Sequence, residues 1–122
     1  EVTGRALHTA LEQGAARRER EGGGFLQVSG LTLTLDPARP AGQRVVAVEV
    51  GGAPLDPERR YRVAVADYVA NGGDGITAFR DGQVIVDAES GPLATEILLQ
   101  AVTAAGTIAP AVDGRIRMLP PR

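Results

Sequence analysis

A chain of 122 residues, 43% hydrophobic and with a net charge of -2, fits one hydrophobic core of ordinary domain size. Its acidic and basic residues are interspersed, so it lacks the basic stripe of a duplex-binding surface, and nucleic acid is not an expected partner. All 13 basic residues are Arg and the chain has neither Lys nor Cys, which excludes Schiff-base and P-loop lysines, disulfides, thiolate catalysis and zinc-thiolate sites.

No run approaches the roughly 18 apolar residues that a membrane span needs, and the N-terminus lacks a charged-then-apolar leader pattern. Glu1 to Gly4 opens almost directly on an amphipathic helix, as a piece of a longer protein would, leaving room for a targeting signal upstream. In chain order, Thr3 caps a predicted helix from 4 to about 20, with Leu7 and Leu11 on one stripe and arginines gathered at its end. Gly22, Gly23 and Gly24 stop it. Phe25-Leu26-Gln27-Val28 reads as a short strand, and residues 31–35, Leu-Thr-Leu-Thr-Leu, alternate at period two, so one face is buried and one wet. A strand at 45–50 ends in the hairpin signal Gly51-Gly52.

After a loop at 54–60, residues 61–66 alternate again and are expected to pair beside the preceding strands. A strand at 84–86, a helix over 92–105 with Leu93, Ile97 and Val102 turned inward, and a strand around 115–118 complete the order, and Pro120-Pro121 ends the fold. The expectation is one α+β domain over 1–122, with helices packed on a mixed, mostly antiparallel sheet.

Three glycines in four residues at Gly72-Gly73-Asp74-Gly75 cannot continue a regular element, and they free Asp74 to project from a tight turn. Two readings stay open: a carboxylate that accepts hydrogen bonds from ligand hydroxyls, and a turn aspartate bonding its own backbone. Phe25 and Tyr68 each adjoin a glycine-rich loop, where a flat ring serves either as a stacking platform for a nucleobase or as ordinary core. Tyr61 and Phe79 lack that context and are assigned to the core.

His8 has no second His or Cys with which to share a metal, so this chain cannot build a metallophosphoesterase centre. A calcium loop over 67–74 fails on ligand spacing. Ser29 lacks the context of a nucleophile elbow. The run Arg17-Arg18-Glu19-Arg20 is read as a solvated helix end, with phosphate contact as the alternative.

The blocks Gly24-Phe25-Leu26-Gln27-Val28-Ser29-Gly30-Leu31, Tyr61-Arg62-Val63-Ala64 and Asp67-Tyr68-Val69-Ala70-Asn71-Gly72-Gly73-Asp74-Gly75 resemble the 5'-nucleotidase C-terminal domain family. So do Val2-Thr3-Gly4 with Leu7, Leu11 and Glu12, the turn at 51–56, and Asp113-Gly114-Arg115-Ile116. The resemblance implies that two aromatic rings, here Phe25 and Tyr68, sandwich a nucleobase while Asp74 binds the ribose hydroxyls. Gly73 and Asn71 match the same block, and Asn71 is expected to support the loop rather than touch ligand.

The resemblance further implies a substrate-specificity domain of a bacterial 5'-nucleotidase-type phosphoesterase that binds a nucleoside or nucleotide. Its partner would be an N-terminal metallophosphoesterase domain of the same parent, carrying the divalent metal pair, and the parent would be extracytoplasmic. The family's domain begins further upstream, so the chain is expected to be truncated at its N-terminal side and inactive as a hydrolase when isolated, with no cofactor of its own. Within the family, a parent acting on a UDP-sugar, a cyclic nucleotide or a thiosulfonate ester is the alternative. From another class, the alternative is a binding or dimerisation module whose strand edges pair with a partner.

Overall fold

The computed structural model describes residues 1–19 and 23–120. Over these residues the elements are β1 (Val2–Thr3), α1 (Gly4–Ala15), β2 (Leu31–Leu35), β3 (Val45–Val50), β4 (Ala53–Pro54), β5 (Arg60–Tyr61), α2 (Asp67–Ala70), a 3-10 turn at Gly73–Gly75, α3 (Ala94–Ala105) and β6 (Ile116–Met118). The main sheet has the order β4-β3-β2-β6, with β2 and β6 parallel and the other pairs antiparallel. It is the mixed, mostly antiparallel sheet that the alternating runs predict.

Alternation in β2 sends Leu33 and Leu35 to one face, and the register shift in its pairing with β3 sets Val48 and Val45 opposite them, where Leu7, Leu11 and Ala15 of α1 cover the four. Leu33 and Leu35 are only 2% exposed. The register runs Leu31↔Val50 to Leu35↔Val45, with a shift between Thr34 and Leu35. Gly51 and Gly52, at φ 61° and 81°, make the two-residue turn that brings Ala53 opposite Val50. Positive φ at both central residues is what that hairpin twist demands.

Thr3 caps α1, its hydroxyl accepting from the Ala6 amide at 3.2 Å. The helix stops at Ala15, and its predicted continuation runs partly outside the described residues. Past Ala15 the amides turn to i−3 carbonyls, Arg17 to Gly14 at 3.0 Å and Arg18 to Ala15 at 3.4 Å, and Arg44 Nη1 donates to the same Ala15 carbonyl at 3.0 Å. Glu12, buried on the same helix, accepts the Val45 amide at 2.8 Å and the Arg44 amide at 3.0 Å, so one carboxylate fastens the start of β3 to α1.

Four sequence expectations change. Phe25 to Val28 join no strand ladder, because the chain there lies over Gly14 of α1 instead of beside another strand. Of the 61–66 run only Tyr61 pairs, and together with Arg60 before it, it pairs with β1, not with the earlier strands; β1 is two residues long, so the ladder ends there. Residues 84–86 form no strand, and all three side chains are exposed. The helix at 94–105 forms, but Leu93 and Ile97 are 63% and 52% exposed and only Val102 is half-buried, since no other described element packs on that face. Tyr61 and Phe79 pack against the core as expected.

Asp113 and Arg115 brace the entry to β6. Arg115 Nε donates to both Asp113 carboxylate oxygens, at 2.9 and 2.7 Å, and its Nη1 reaches the Val28 carbonyl at 3.2 Å. The Arg115 side chain holds the Asp113 carboxyl down at about 2, against an ordinary 3.8. A depressed carboxyl contributes above its ordinary value and loses its contribution as pH falls through the folded value. An NMR titration of the Asp113 carboxyl carbon is therefore expected to show a midpoint near 2 that returns toward 3.8 in Arg115→Met. An unchanged midpoint in that variant would assign the depression elsewhere.

Candidate functional site

The glycine-rich turn after β5 is built so that one aromatic ring and one carboxylate face outward together. The short helix α2 lifts Tyr68 out of the chain, leaving it 59% exposed. Asn71 closes the helix, its Nδ2 donating to the Asp67 carbonyl at 2.9 Å. Gly72 then reverses the chain at φ 91°, and Asp74 follows at φ 52°. A left-handed conformation is uncommon for a residue with a Cβ, and Asp is among the side chains that tolerate it. Its backbone amide donates to the Tyr68 hydroxyl at 3.3 Å, and that hydroxyl donates back to Asp74 Oδ1 at 3.4 Å.

Two glycines in this turn have steric reasons to be glycine. A Cβ on Gly73 would fall inside the Tyr68 ring edge, so the turn can lie against the ring only without a side chain. A Cβ on Gly72 would overlap the Arg80 guanidinium, whose Nε and Nη2 donate to the Asn71 carbonyl at 3.3 and 3.2 Å.

The second loop, residues 23–28, meets this turn over the C-terminal half of α1. Gln13 holds the turn: its Oε1 accepts the Thr77 and Ala78 amides at 2.9 and 3.2 Å, and its Nε2 donates to the Thr77 hydroxyl at 2.8 Å. Next to Thr77, Ile76 is fully buried. Gly14 admits the other loop, because a Cβ there would lie 2.9 Å from Leu26 Cγ and 3.2 Å from its backbone nitrogen. Arg17 runs between the two loops. A Cβ on Gly24 would lie 2.7 Å from Arg17 Cδ and 3.3 Å from Asp74 Cβ, and one on Gly75 would overlap an Arg17 Nη.

Tyr68, Gly73 and Asp74 are thus brought together directly, and Gly24 sets the start of the Phe25 loop against Asp74. Phe25 itself is half-buried and packs against the core cluster. Asn71 contributes its carbonyl to Arg80 and its amide to Asp67, both within the loop. Sequence reasoning missed Gln13, Gly14 and Arg80. A glycine inside a helical pattern was the available signal for Gly14, since such a position costs helix stability unless something packs on it. Arg17 departs from the solvated helix end expected of its run: it is half-buried, while Arg18 is exposed.

Two surface depressions lie elsewhere. One, of about 380 Å³, is bordered by Ser29, Thr32, Glu49, Asp113 and Arg115; the other, of about 530 Å³, lies between α1 and the β3–β4 hairpin and includes His8. Neither contains a side chain set for nucleophilic or metal chemistry, and among the described residues no group of three or more His, Cys, Asp or Glu could hold a metal ion. No described helix is long and apolar enough to cross a membrane.

The family model for the 5'-nucleotidase C-terminal domain matches residues 1–81. The chain belongs to that family. A solved 5'-nucleotidase precursor from Thermus thermophilus superposes with a TM-score of 0.88 at 39% identity, over 99% of this chain and 24% of that one. An apyrase from Tabanus yao is 32% identical over 98% of this chain and 23% of its own length. A 5'-nucleotidase from Diplobatis ommata is 32% identical over 95% and 21% respectively. The chain therefore spans between a fifth and a quarter of these relatives, and its fold is that of the family's C-terminal domain.

Proposed function

We propose that this domain is the nucleoside-binding part of a two-domain phosphoesterase of the 5'-nucleotidase type. The observation that carries the reading is the exposed Tyr68 ring joined through its hydroxyl to Asp74, on a turn that meets the Phe25 loop. In this reading Tyr68 offers its exposed ring face to a purine or pyrimidine, the half-buried Phe25 is the second ring of the clamp, and the Asp74 carboxylate accepts hydrogen bonds from the ribose hydroxyls. Gly73 lets the turn close on the ring, and Asn71 supports it from behind.

Binding of this kind fixes where the phosphate lies, and positioning lowers a barrier without any proton being moved by this domain. Attack on the phosphate belongs in this reading to a metal pair on an N-terminal domain of the parent, so the isolated chain does not hydrolyse esters. The same reading puts the parent outside the cytoplasm.

Titrating adenosine and AMP while following amide shifts tests the proposal. Shifts are expected at Phe25, Tyr68 and Asp74, and Tyr68→Ala is expected to weaken binding about tenfold, the scale of one lost base-stacking contact. Because Tyr68 is exposed, the far-UV circular dichroism of that variant should be unchanged. Saturating nucleoside that moves none of the three resonances would remove the reading.

A further inference from the structure

We infer that Arg17 is a ribose-reading residue of the same site, a hydrogen-bond donor set against the acceptor Asp74 to grip a vicinal diol; this rests on the nucleoside-binding reading above. The Arg17 backbone amide continues the last turn of α1 by donating to the Gly14 carbonyl at 3.0 Å, but among the described residues its guanidinium has no hydrogen-bond or ion-pair partner. Other arginines of the fold spend their donors within the protein: Arg44 on Ala15, Arg39 and Glu19, Arg115 on Asp113 and Val28, Arg80 on Asn71. Among the described residues no buried side-chain nitrogen or oxygen lacks a partner, so these unspent donors face solvent and are open to a ligand.

The position of Arg17 says what that ligand is. The aliphatic stem lies against Gly24, immediately before Phe25, and the guanidinium lies against Gly75, immediately after Asp74. Any side chain at either glycine would fill the slot that the arginine occupies. Arg17 and Asp74 therefore both border Gly24, with the guanidinium against Gly75 and no hydrogen bond or ion pair between the two side chains. A carboxylate only accepts and a guanidinium only donates. A sugar diol presents both needs at once, two hydroxyl hydrogens and the lone pairs of two oxygens, so the pair satisfies it from both sides. Phosphate would engage Arg17 but be repelled by Asp74, and the test separates the two ligands.

The experiment compares Arg17→Met and Arg17→Lys with the unsubstituted protein, using adenosine, AMP and 2',3'-dideoxyadenosine as probes and calorimetry as readout. Arg17→Met is expected to weaken adenosine and AMP equally, by about tenfold, the value of one hydrogen bond to a charged group. The same substitution should leave dideoxyadenosine within about twofold, because that ligand has no diol to lose. Arg17→Lys should restore part of the preference for the ribose. Equal weakening of adenosine and dideoxyadenosine would reduce Arg17 to a loop spacer, loss confined to AMP would make it a phosphate contact, and no change would leave it without a role; each overturns the inference. Loss of adenosine binding in Tyr68→Ala and Asp74→Asn alongside any of these would keep the nucleoside reading standing, whereas indifference of those two variants would remove that reading itself.

Discussion

Glu12→Ala is expected to lower the unfolding free energy by about 3 kcal/mol, a large share of the roughly 5–15 kcal/mol that holds a domain of this kind together. Glu12 is 6% exposed, and its two carboxylate oxygens accept the consecutive amides of Arg44 and Val45. Truncation leaves both donors buried without partners, each costing about 1–3 kcal/mol, and opens a gap between α1 and β3. Glu12→Gln keeps one acceptor and turns an NH2 group toward the other amide, so an intermediate loss is expected. Chemical denaturation followed by circular dichroism measures both. A loss below about 1 kcal/mol for the alanine variant would mean that water replaces the carboxylate, contrary to the burial of this site.

Gly73→Ala is expected to abolish measurable nucleoside binding, a fall of about a hundredfold or more, while leaving the sheet intact. The added methyl would occupy the edge of the Tyr68 ring and crowd the Tyr68 carbonyl. Ring and turn must then part, and the hydroxyl that accepts the Asp74 amide moves with the ring. Stacking and ribose contacts are lost together, and two contacts of about 1–3 kcal/mol each multiply to that factor. The core is indifferent to the change, because Leu33, Leu35 and the apolar stripe of α1 lie elsewhere. Retained affinity in a correctly folded Gly73→Ala protein would show that the turn yields without moving Tyr68, and the ring would then be no part of the binding face.

The fold was legible wherever the pattern was local. Thr3 before an amphipathic run, alternation through 31–35, and Gly51-Gly52 closing the strand at 45–50 each name a backbone state that the residues prefer by themselves. The misreadings share a cause: strand formation needs a partner, and partner length is not written in the strand. Residues 61–66 have the composition of a strand, yet only Tyr61 among them finds β1 opposite. Leu26 and Val28 have it too, but Gly14 offers their segment a helix surface instead. Along α3 the apolar spacing correctly predicts the helix and says nothing of whether another element reaches it.

The same division holds in the candidate site. Tyr68, Gly73 and Asp74 are close in sequence, so a turn brings them together, and the motif itself carries that information. The meeting of this turn with the loop at 23–28 depends on Gln13, Gly14 and Arg17, polar or small residues on a helix whose visible signal was its apolar stripe. Periodicity reports the stripe that packs on the sheet and is silent about the side that receives loops.

Because these three residues fall within about one and a half helical turns, the spacing between the two loops is measured out along a helix axis at about 1.5 Å per residue. A helix makes a stiff ruler. Insertions in the connections at 36–44 or 55–59 should leave the distance between the two loops untouched, while a single residue added between Leu11 and Arg17 would rotate their anchors by about 100° and dismantle the arrangement without deleting any of its parts.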